Sequence, residues 1–298
     1  MMQPRGKRLA LSTAALALAV LAVVAWLSWP HLRFWWRFEP LGKNEQGLQE
    51  YAHRATGIVF VEIPAGQFSM GMSDDEWNNL VKEFASDLRI PRSRSLSEVF
   101  LRDVRARGPR GPVMVHRFLL AKYELCQDVW LRVMGRNPSR FVGTDLPVEG
   151  VTWEDCVEFC RKAGLCLPTE AQWEYACRAS TALVPGSKVT CEEAAWLNWN
   201  SGGKTHPVGQ LRPNAFGLFD MLGNVEEWCQ DVWEENGGID GRGPGGKSKI
   251  GGASEARVVR GGAWDSRKIQ CRCESRGYHW ARQGNAGLGL RPAYYPLP

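Results

Sequence analysis

Histidine is scarce in this sequence, and no zinc-like spacing of Cys and His occurs. Five of the 298 residues are histidine, whereas nine are cysteine. Cys156 and Cys160 stand four residues apart, but no second Cys or His pair completes a metal pattern, so buried helix cysteines are the simpler interpretation. The Gly-x-Ser-x-Gly elbow of serine hydrolases is also missing. These absences argue against a zinc enzyme and against an α/β-hydrolase.

The chain also carries little excess charge. Its formal net charge of +5 comes largely from the N-terminus and from the stretch 89–110. That basic stretch lies in an insertion, residues 74–112, whose first part (74–88) favours a helix and whose remainder is typical of a solvated surface excursion. The insertion lacks interleaved aromatic residues and any recognisable nucleic-acid module, so we predict no nucleic-acid partner.

One long apolar run is present, at the N-terminus. A basic flank, residues 1–8, precedes 21 uncharged residues, 9–29. A helix rises about 1.5 Å per residue, so this run spans the roughly 30 Å hydrocarbon core of a bilayer. Trp26, Trp29, Trp35 and Trp36 suit the aromatic belt of the interface. We predict an uncleaved transmembrane signal anchor, with cleavage at the weak small-residue site 23–25 as the alternative.

Cysteine usage indicates the compartment. Nine cysteines beside five histidines suit an oxidising environment, where disulfides persist. We therefore expect residues 55–298 to form a domain on the extracytoplasmic side, periplasmic or extracellular. Residues 30–54 lie between the apolar run and this domain, and we expect them to form a juxtamembrane linker. The odd cysteine count leaves at least one thiol unpaired within a monomer.

Local signals predict several elements in this domain. Alternating β-branched residues favour one or two short strands around the turn at 64–66, and RVVRGGAW reads as a strand that enters a turn. Thr152 is a predicted N-cap of a helix that stops at Gly164. Thr169 caps a second helix, with Gln172 placed for a capping box. Fourteen Trp and 32 Gly indicate a loop-rich fold and not a helical bundle.

The stretch NAFGLFDMLGNVEEW, residues 214–228, is a candidate cation site. Two carboxylates and two backbone carbonyls within eight residues are the mixed oxygen ligands that Ca²⁺ prefers. Acidic residues in the first turn of a helix are the alternative explanation, because the helix dipole favours them there. The candidate ligands are Asp220, Gly223, Val225 and Glu227.

Several longer motifs together resemble the formylglycine-generating enzyme (sulfatase-modifying factor) family. They follow in the family's order: GIVFVEIPAGQFSMG, KYELCQDVW, NPSRFVGTDLPVEGVTWEDCVEFC, LPTEAQWEYACR, NAFGLFDMLGNVEEW, RVVRGGAW and GNAGLGLRP. The resemblance implies a single α/β (α+β) domain with low regular secondary structure, a variant of the C-type-lectin-like fold. It also implies structural calcium on the four residues named above. Asn198 and Trp199 resemble ligands of a second family site.

The family's activity carries over less directly. Its enzyme oxidises a cysteine of a sulfatase to formylglycine with O₂ and a Cu(I) held by two thiolates, placed between a Gly-Gly turn and an Arg-Cys-x-x-Arg anchor. Here Ser266 stands at the first thiolate position. Cys271 matches the second thiolate when counted from the turn, but a structural position when counted from the anchor. The pocket-anchor positions correspond to Trp264, Arg272 and Arg276.

The resemblance also implies disulfide pairs. Cys273 matches the anchor cysteine, whose family partner corresponds to Cys177, so Cys177–Cys273 is the first predicted bridge. Cys229 and Cys271 lie near motifs that converge in this fold, which makes Cys229–Cys271 a second candidate. A soft-metal clamp formed by Cys271 and Cys273 is the alternative.

Two hypotheses remain. In the first, the protein is a membrane-anchored member of the family without oxidase activity, which binds an exported protein or peptide. In the second, Cys271 and Ser266 serve a working copper oxidase that modifies an exported sulfatase-like protein. A soft Cu(I) site requires two thiolates. The sequence offers at most one after the Gly-Gly turn, which favours the first hypothesis.

Overall fold

A computed structural model describes residues 34–72, 111–179, 191–233 and 255–295. The predicted membrane run 9–29, the bulk of the insertion and the Gly-rich stretch 237–254 lie outside these residues. Among the residues that the structure does describe, no helix has both the length and the apolar character needed to cross a bilayer.

The described residues form a mixed fold of short strands and few helices. The helices are α1 (Gln127–Met134), α2 (Trp153–Ala163), α3 (Glu170–Arg178) and α4 (Cys191–Ala194). The strands are β1 (Phe38–Lys43), β2 (Gln49–His53), β3 (Val59–Ile63), β4 (Gly66–Ser69), β5 (Pro112–Val115), β6 (Phe118–Ala121), β7 (Ala195–Trp196), β8 (Leu222–Gly223), β9 (Glu226–Val232), β10 (Ala256–Arg260), β11 (Arg276–Trp280), β12 (Leu288–Gly289) and β13 (Ala293–Tyr294).

Two larger sheets and two ribbons organise these strands. The five-stranded sheet has the order β1-β2-β3-β6-β13, and all its pairs are antiparallel. The four-stranded sheet has the order β11-β10-β9-β12, with β12 parallel to β9. The ribbons are β4-β5 and β7-β8. The predicted strands on both sides of residues 64–66 and the strand of RVVRGGAW are confirmed.

The expected linker at 30–54 is wrong for its described part. Residues 38–43 and 49–53 form β1 and β2, which pair with β3 as the first strands of the five-stranded sheet. Phe38 is fully buried, and its ring lies 5.5 Å from Phe60 and 4.7 Å from Tyr294. Burial of such rings stabilises the domain, so the folded unit begins before residue 55.

Both predicted helix starts are confirmed. The Thr152 side chain accepts a hydrogen bond from the Asp155 N–H, and the Asp155 carboxylate accepts one from the Thr152 N–H. Thr169 and Gln172 form the same capping box at the start of α3. Helix α2 ends at Gly164, whose φ of 68° is a left-handed value that glycine adopts without strain.

Two large hydrophobic clusters make up most of the core of the described residues, and neighbouring strand residues point into different ones. On β3, Phe60 belongs to the first cluster and Val61 to the second. On β9, Trp228 and Cys229 divide in the same way. The inner strands β3 and β9 are therefore buried on two faces.

One of the two predicted disulfides is confirmed, and the other is not formed. Cys177 and Cys273 form a bridge that joins α3 to the segment before β11, across 96 residues. Closing a loop of that size stabilises a fold by about 4–5 kcal/mol in the chain-entropy description. The second prediction is corrected, because Cys229 is a buried unbridged thiol. Cys229 packs in the second hydrophobic cluster, whereas Cys271 packs with Ala195 and Leu197.

The Gly-rich stretch is flanked by strands on both sides. It contains GRGPGGKS (241–248), which has the residue pattern of a phosphate-binding loop. These residues lie outside the part of the chain that the structure describes, between β9 and β10.

Candidate functional site

The candidate calcium segment is a turn followed by strands, not the start of a helix. Asp220, Gly223 and Asn224 have φ values of 53°, 76° and 59°, all in the left-handed region. A Cβ on Gly223 would lie 2.3 Å from the carbonyl oxygen of Trp196, so only glycine fits there. The acidic-helix explanation is therefore wrong, and the turn is shaped by close backbone approach.

Glu227 lies at the centre of this region in a buried ion pair. Both of its carboxylate oxygens accept hydrogen bonds from Arg291 Nε, at 2.9 and 3.1 Å, and the two side chains are almost fully inaccessible to solvent. The Trp173 indole N–H donates to the same carboxylate at 2.6 Å. Arg291 also donates to the carbonyls of Ala121 and Phe219. The pair thus connects β6, β9 and the end of the chain.

Glu124 is a second buried carboxyl group at this site. It accepts hydrogen bonds from the Val225 N–H at 3.0 Å and from the Asn224 side-chain amide at 2.6 Å. Burial raises the pKa of Glu124 well above its usual value, and the nearby carboxylates of Asp220 and Glu227 raise it further. Glu124 therefore fixes the turn, and without a cation nearby its raised pKa favours the neutral carboxyl group.

Asp220 is the third buried carboxyl group, and it is only half satisfied. Its Oδ2 accepts a hydrogen bond from the Gly209 N–H at 2.6 Å. Its Oδ1 is buried and has no hydrogen-bond partner among the described residues. Burial raises the pKa of Asp220 to about 6. An unpaired buried oxygen is costly unless a proton or a cation satisfies it.

Two features of the three buried carboxyl groups fit a bound cation: their combined charge and the unpaired Oδ1 of Asp220. Glu124, Asp220 and Glu227 interact electrostatically with one another and with the single guanidinium of Arg291. A divalent ion would balance the excess negative charge and satisfy Asp220 Oδ1. Within the described ranges, no three His, Cys, Asp or Glu side chains form a metal-binding group, so any site here depends on backbone carbonyls as well.

The candidate thiol site lies directly beside this turn. The Gly223 N–H donates to the Gly261 carbonyl at 3.0 Å, and the Trp264 N–H donates to the Asn224 carbonyl at 2.9 Å. The Cys271 thiol donates to the same Gly261 carbonyl at 3.2 Å. The cation turn and the Gly-Gly turn are therefore packed against each other through shared backbone hydrogen bonds.

Ser266 and Cys271 approach the same point of the Gly-Gly turn. A Cβ on Gly262 would lie 3.3 Å from Ser266 Oγ and 3.7 Å from Cys271 Sγ. Ser266 Oγ accepts a hydrogen bond from the Ala263 N–H at 2.9 Å, so its hydroxyl helps to form the turn. Cys271 has 1% of its surface exposed. The turn thus presents one buried thiol and one engaged hydroxyl.

The remaining predicted residues take several positions around these turns. The Asn198 N–H donates to the Ser266 carbonyl at 3.2 Å, and the neighbouring Trp199 is half exposed. The Trp264 indole N–H donates to the Ala286 carbonyl. Arg276 is buried and forms a two-point pair with Glu170, at 2.6 and 2.8 Å. Arg272 contacts Ser275.

Sequence reasoning missed two contributors to the site, Glu124 and Arg291. Both lie in motifs used for the resemblance, but they are distant in sequence from the 220–227 stretch that they contact. Spacing along one segment cannot identify such partners. A buried carboxylate needs a positively charged partner. That requirement predicts an arginine beside Glu227, although it does not say which one.

Comparison with known proteins gives a consistent result. Residues 45–294 match the sequence profile of the sulfatase-modifying factor enzyme 1-like domain. The formylglycine-generating enzyme of Mus musculus is 33% identical, and the alignment covers 86% of this chain and 80% of that enzyme. The chaperone protein LppX of Paenibacillus barcinonensis is 32% identical over 41% of this chain and 64% of its own length.

A solved structure supports the fold. PvdO from Pseudomonas aeruginosa superposes with a TM-score of 0.59 at 23% sequence identity, over 86% of this chain and 98% of PvdO. At that level of identity the similarity concerns architecture alone.

Proposed function

Because the chain belongs to the sulfatase-modifying factor enzyme 1-like domain family, we propose that it is a membrane-anchored, extracytoplasmic member without the copper-thiolate oxidase site. Its C-type-lectin-like domain binds an exported protein or peptide as an accessory or binding module. The observation that carries this proposal is the Gly-Gly turn, where Ser266 hydrogen-bonds to the backbone beside a single buried thiol, Cys271.

The chemistry of that turn disfavours copper. Cu(I) is a soft ion that prefers thiolate ligands, and a serine hydroxyl does not ionise in the range where a thiol does. Cys273, the neighbouring cysteine, is already consumed in a bridge to Cys177. A Cys271–Cys273 clamp would require that bridge to be absent.

Two further observations are consistent with a binding role outside the cytoplasm. The apolar run 9–29 follows a basic flank, as a signal anchor does. The Cys177–Cys273 bridge suits an oxidising compartment. In addition, a relative at 32% identity is named a chaperone protein, so resemblance to this family is not confined to proteins named as oxidases.

Copper binding and substrate oxidation test the proposal together. The purified protein is titrated with Cu(I) against a competing chelator, and a cysteine-containing sulfatase peptide is incubated with it under air and analysed by mass spectrometry. We expect no tight copper binding and no formylglycine. Wild-type copper binding that is lost in Cys271→Ser, accompanied by formylglycine in the peptide, would show that the protein is an oxidase.

A gain-of-ligand variant sharpens this test. Ser266→Cys places a second thiol at the turn that already holds Cys271, because both side chains approach the same point over Gly262. We expect its Cu(I) affinity to rise by at least about tenfold over wild type, since two thiolates replace one. Ser266→Ala is the matched control and should leave the copper affinity unchanged.

We propose in addition that a structural Ca²⁺ is held by Asp220 and Glu227 with the carbonyls of Gly223 and Val225. The ion would supply the positive charge that three buried carboxyl groups and one guanidinium leave unbalanced. A second ion would be held at Asn198 and Trp199, which are both exposed.

Thermal unfolding with and without calcium tests the ion. At about a hundred times its dissociation constant, a ligand stabilises the folded state by about 2.7 kcal/mol. We expect Ca²⁺ to raise the melting temperature of wild type relative to a chelator, and Asp220→Asn to lose most of that increase. Asp128→Asn, an exposed surface change, is the control. An equal calcium response in wild type and Asp220→Asn would contradict the assignment.

A further inference from the structure

Two exposed tryptophans mark the beginning of the described chain. The Trp36 side chain is 85% exposed and the Trp35 side chain 52% exposed. Adjacent exposed aromatic side chains form a continuous apolar patch, and Trp is enriched where proteins meet the lipid headgroup region. These two side chains directly precede β1, at one end of the five-stranded sheet.

The chain is fixed to the domain immediately before these tryptophans. The Phe34 ring lies 5.1 Å from Phe38, 5.2 Å from Tyr51 and 6.1 Å from Tyr294. Phe34 follows the last residue of the apolar run, Trp29, by five residues. Fully extended, five residues reach about 18 Å at most. This end of the domain therefore cannot move far from wherever the run 9–29 ends.

Basic side chains lie next to the same end. Arg37 donates through Nη1 to the Gly164 carbonyl at 2.8 Å, which connects the start of the domain to the end of α2. The last turn of α2 carries Arg161 and Lys162, whose side chains are 69% and 41% exposed. We call the set Trp35, Trp36, Arg37, Arg161 and Lys162 the base surface. Aromatic and basic side chains together suit a phospholipid headgroup layer.

We infer that the base surface rests on the bilayer, with the Trp36 ring in the headgroup region. The inference relies on the proposed membrane anchor and adds an orientation to it. The domain stands on the Phe38 end of the five-stranded sheet, and the opposite end faces away from the membrane. The lipid surface is the one occupant that both the short tether and the exposed tryptophans specify.

A matched position exists at the far end of the sheet. Phe38, the first residue of β1, pairs with His53 on β2. The preceding residue of β2, Ala52, pairs with Val59 on β3, so β1 begins at the Val59 end of β3. The chain leaves the other end of β3 at Ile63 and enters β4, which pairs with β5. Met114 on β5 is 56% exposed there.

Photocrosslinking of the full chain in membranes tests the inference. Benzoylphenylalanine replaces Trp36 in one variant and Met114 in the other, and both variants are irradiated in vesicles that contain a tagged phospholipid. Mass spectrometry then identifies each adduct. We expect lipid adducts at position 36 and none above the unirradiated background at position 114. Both residues are exposed, so neither replacement disturbs the core.

The outcomes separate the anchor from the orientation. Membranes are first washed with alkaline carbonate. Loss of the chain from the membrane pellet would overturn the anchor, and the inference with it. A retained chain that gives protein adducts or no adduct at position 36 would overturn the inference and leave the anchor intact. Lipid adducts at both positions would overturn the orientation.

Discussion

At the scale of single residues, buried charge dominates this molecule. Arg260 is buried between the carboxylates of Glu170 and Glu174, and Arg276 pairs with Glu170. Desolvation alone would lower the pKa of Arg260, but the two carboxylates raise it above its ordinary value. A buried pair of this kind contributes little net stability, whereas removing one partner costs several kcal/mol because the other charge remains unpaired.

Asp231 gives the protein a predictable pH response. It accepts a hydrogen bond from the Glu170 N–H at 2.6 Å, and burial raises its pKa from 3.8 to about 6. Because the folded-state pKa is raised, the folded state favours the protonated form. Stability from this group is present below about pH 4 and is lost as the pH rises to 6.

Comparison with Asp231→Asn isolates this response. The amide keeps a carbonyl acceptor for Glu170 but does not ionise. We expect the variant to become more stable than wild type by roughly 2 kcal/mol between pH 4 and pH 7, measured by urea unfolding at each pH. Parallel pH profiles for the two proteins would show that Asp231 is not the titrating group.

At the scale of elements, short-range signals predict the helix starts, whereas long-range strand pairing leaves no local signal in the sequence. The capping boxes at Thr152 and Thr169 lie within four residues of sequence, so spacing alone identifies them. Strand β1 buries only Phe38 of its six residues. An edge strand with one buried side chain has no hydrophobic periodicity, and its pairing with β2 depends on contacts across the fold. The sequence pattern of these residues therefore favours a linker.

The capping box of α2 should contribute measurably to stability. Thr152→Ala removes the acceptor for the Asp155 N–H, and loss of an N-cap usually costs about 1 kcal/mol. Denaturant unfolding should show a lower midpoint with an unchanged slope. Thr144→Ala, at an exposed loop position, should change the free energy of unfolding by less than about 0.5 kcal/mol. Equal changes in the free energy of unfolding for the two variants would show that the cap does not stabilise the fold.

The candidate site also combines residues that lie close together in sequence with residues that are distant in sequence. The sequence placed Asp220, Gly223, Val225 and Glu227 in one stretch, and the structure folds that stretch into one turn. Glu124 and Arg291, which complete its charge, come from β6's C-terminal side and from the last motif of the chain. No pattern within a segment specifies which distant charges meet, because tertiary packing decides it.

At the scale of the whole molecule, the first and last strands meet. β1 and β13 are the two edges of the five-stranded sheet, yet the rings of Phe38 and Tyr294 lie 4.7 Å apart. The sheet must therefore curve strongly, and Phe60 on β3 packs beside this pair, with its ring 5.5 Å from that of Phe38. The N-terminal strands close this curve, so we expect them to unfold together with the rest of the domain.

Truncation measures that contribution. A chain that begins at residue 55 lacks β1 and β2 and uncovers Phe60 and the face of β3. We expect it to show no cooperative thermal transition, because the loss of a buried aromatic side chain alone costs about 3–5 kcal/mol. A chain that begins at residue 34 keeps both strands and should melt cooperatively, as followed by near-ultraviolet circular dichroism. Cooperative melting of the shorter chain would restore the linker interpretation.

The bridge between Cys177 and Cys273 turns the middle of the polypeptide into a covalent ring. A single proteolytic nick anywhere inside that ring, the Gly-rich stretch 237–254 included, yields a two-chain molecule whose halves separate only after reduction.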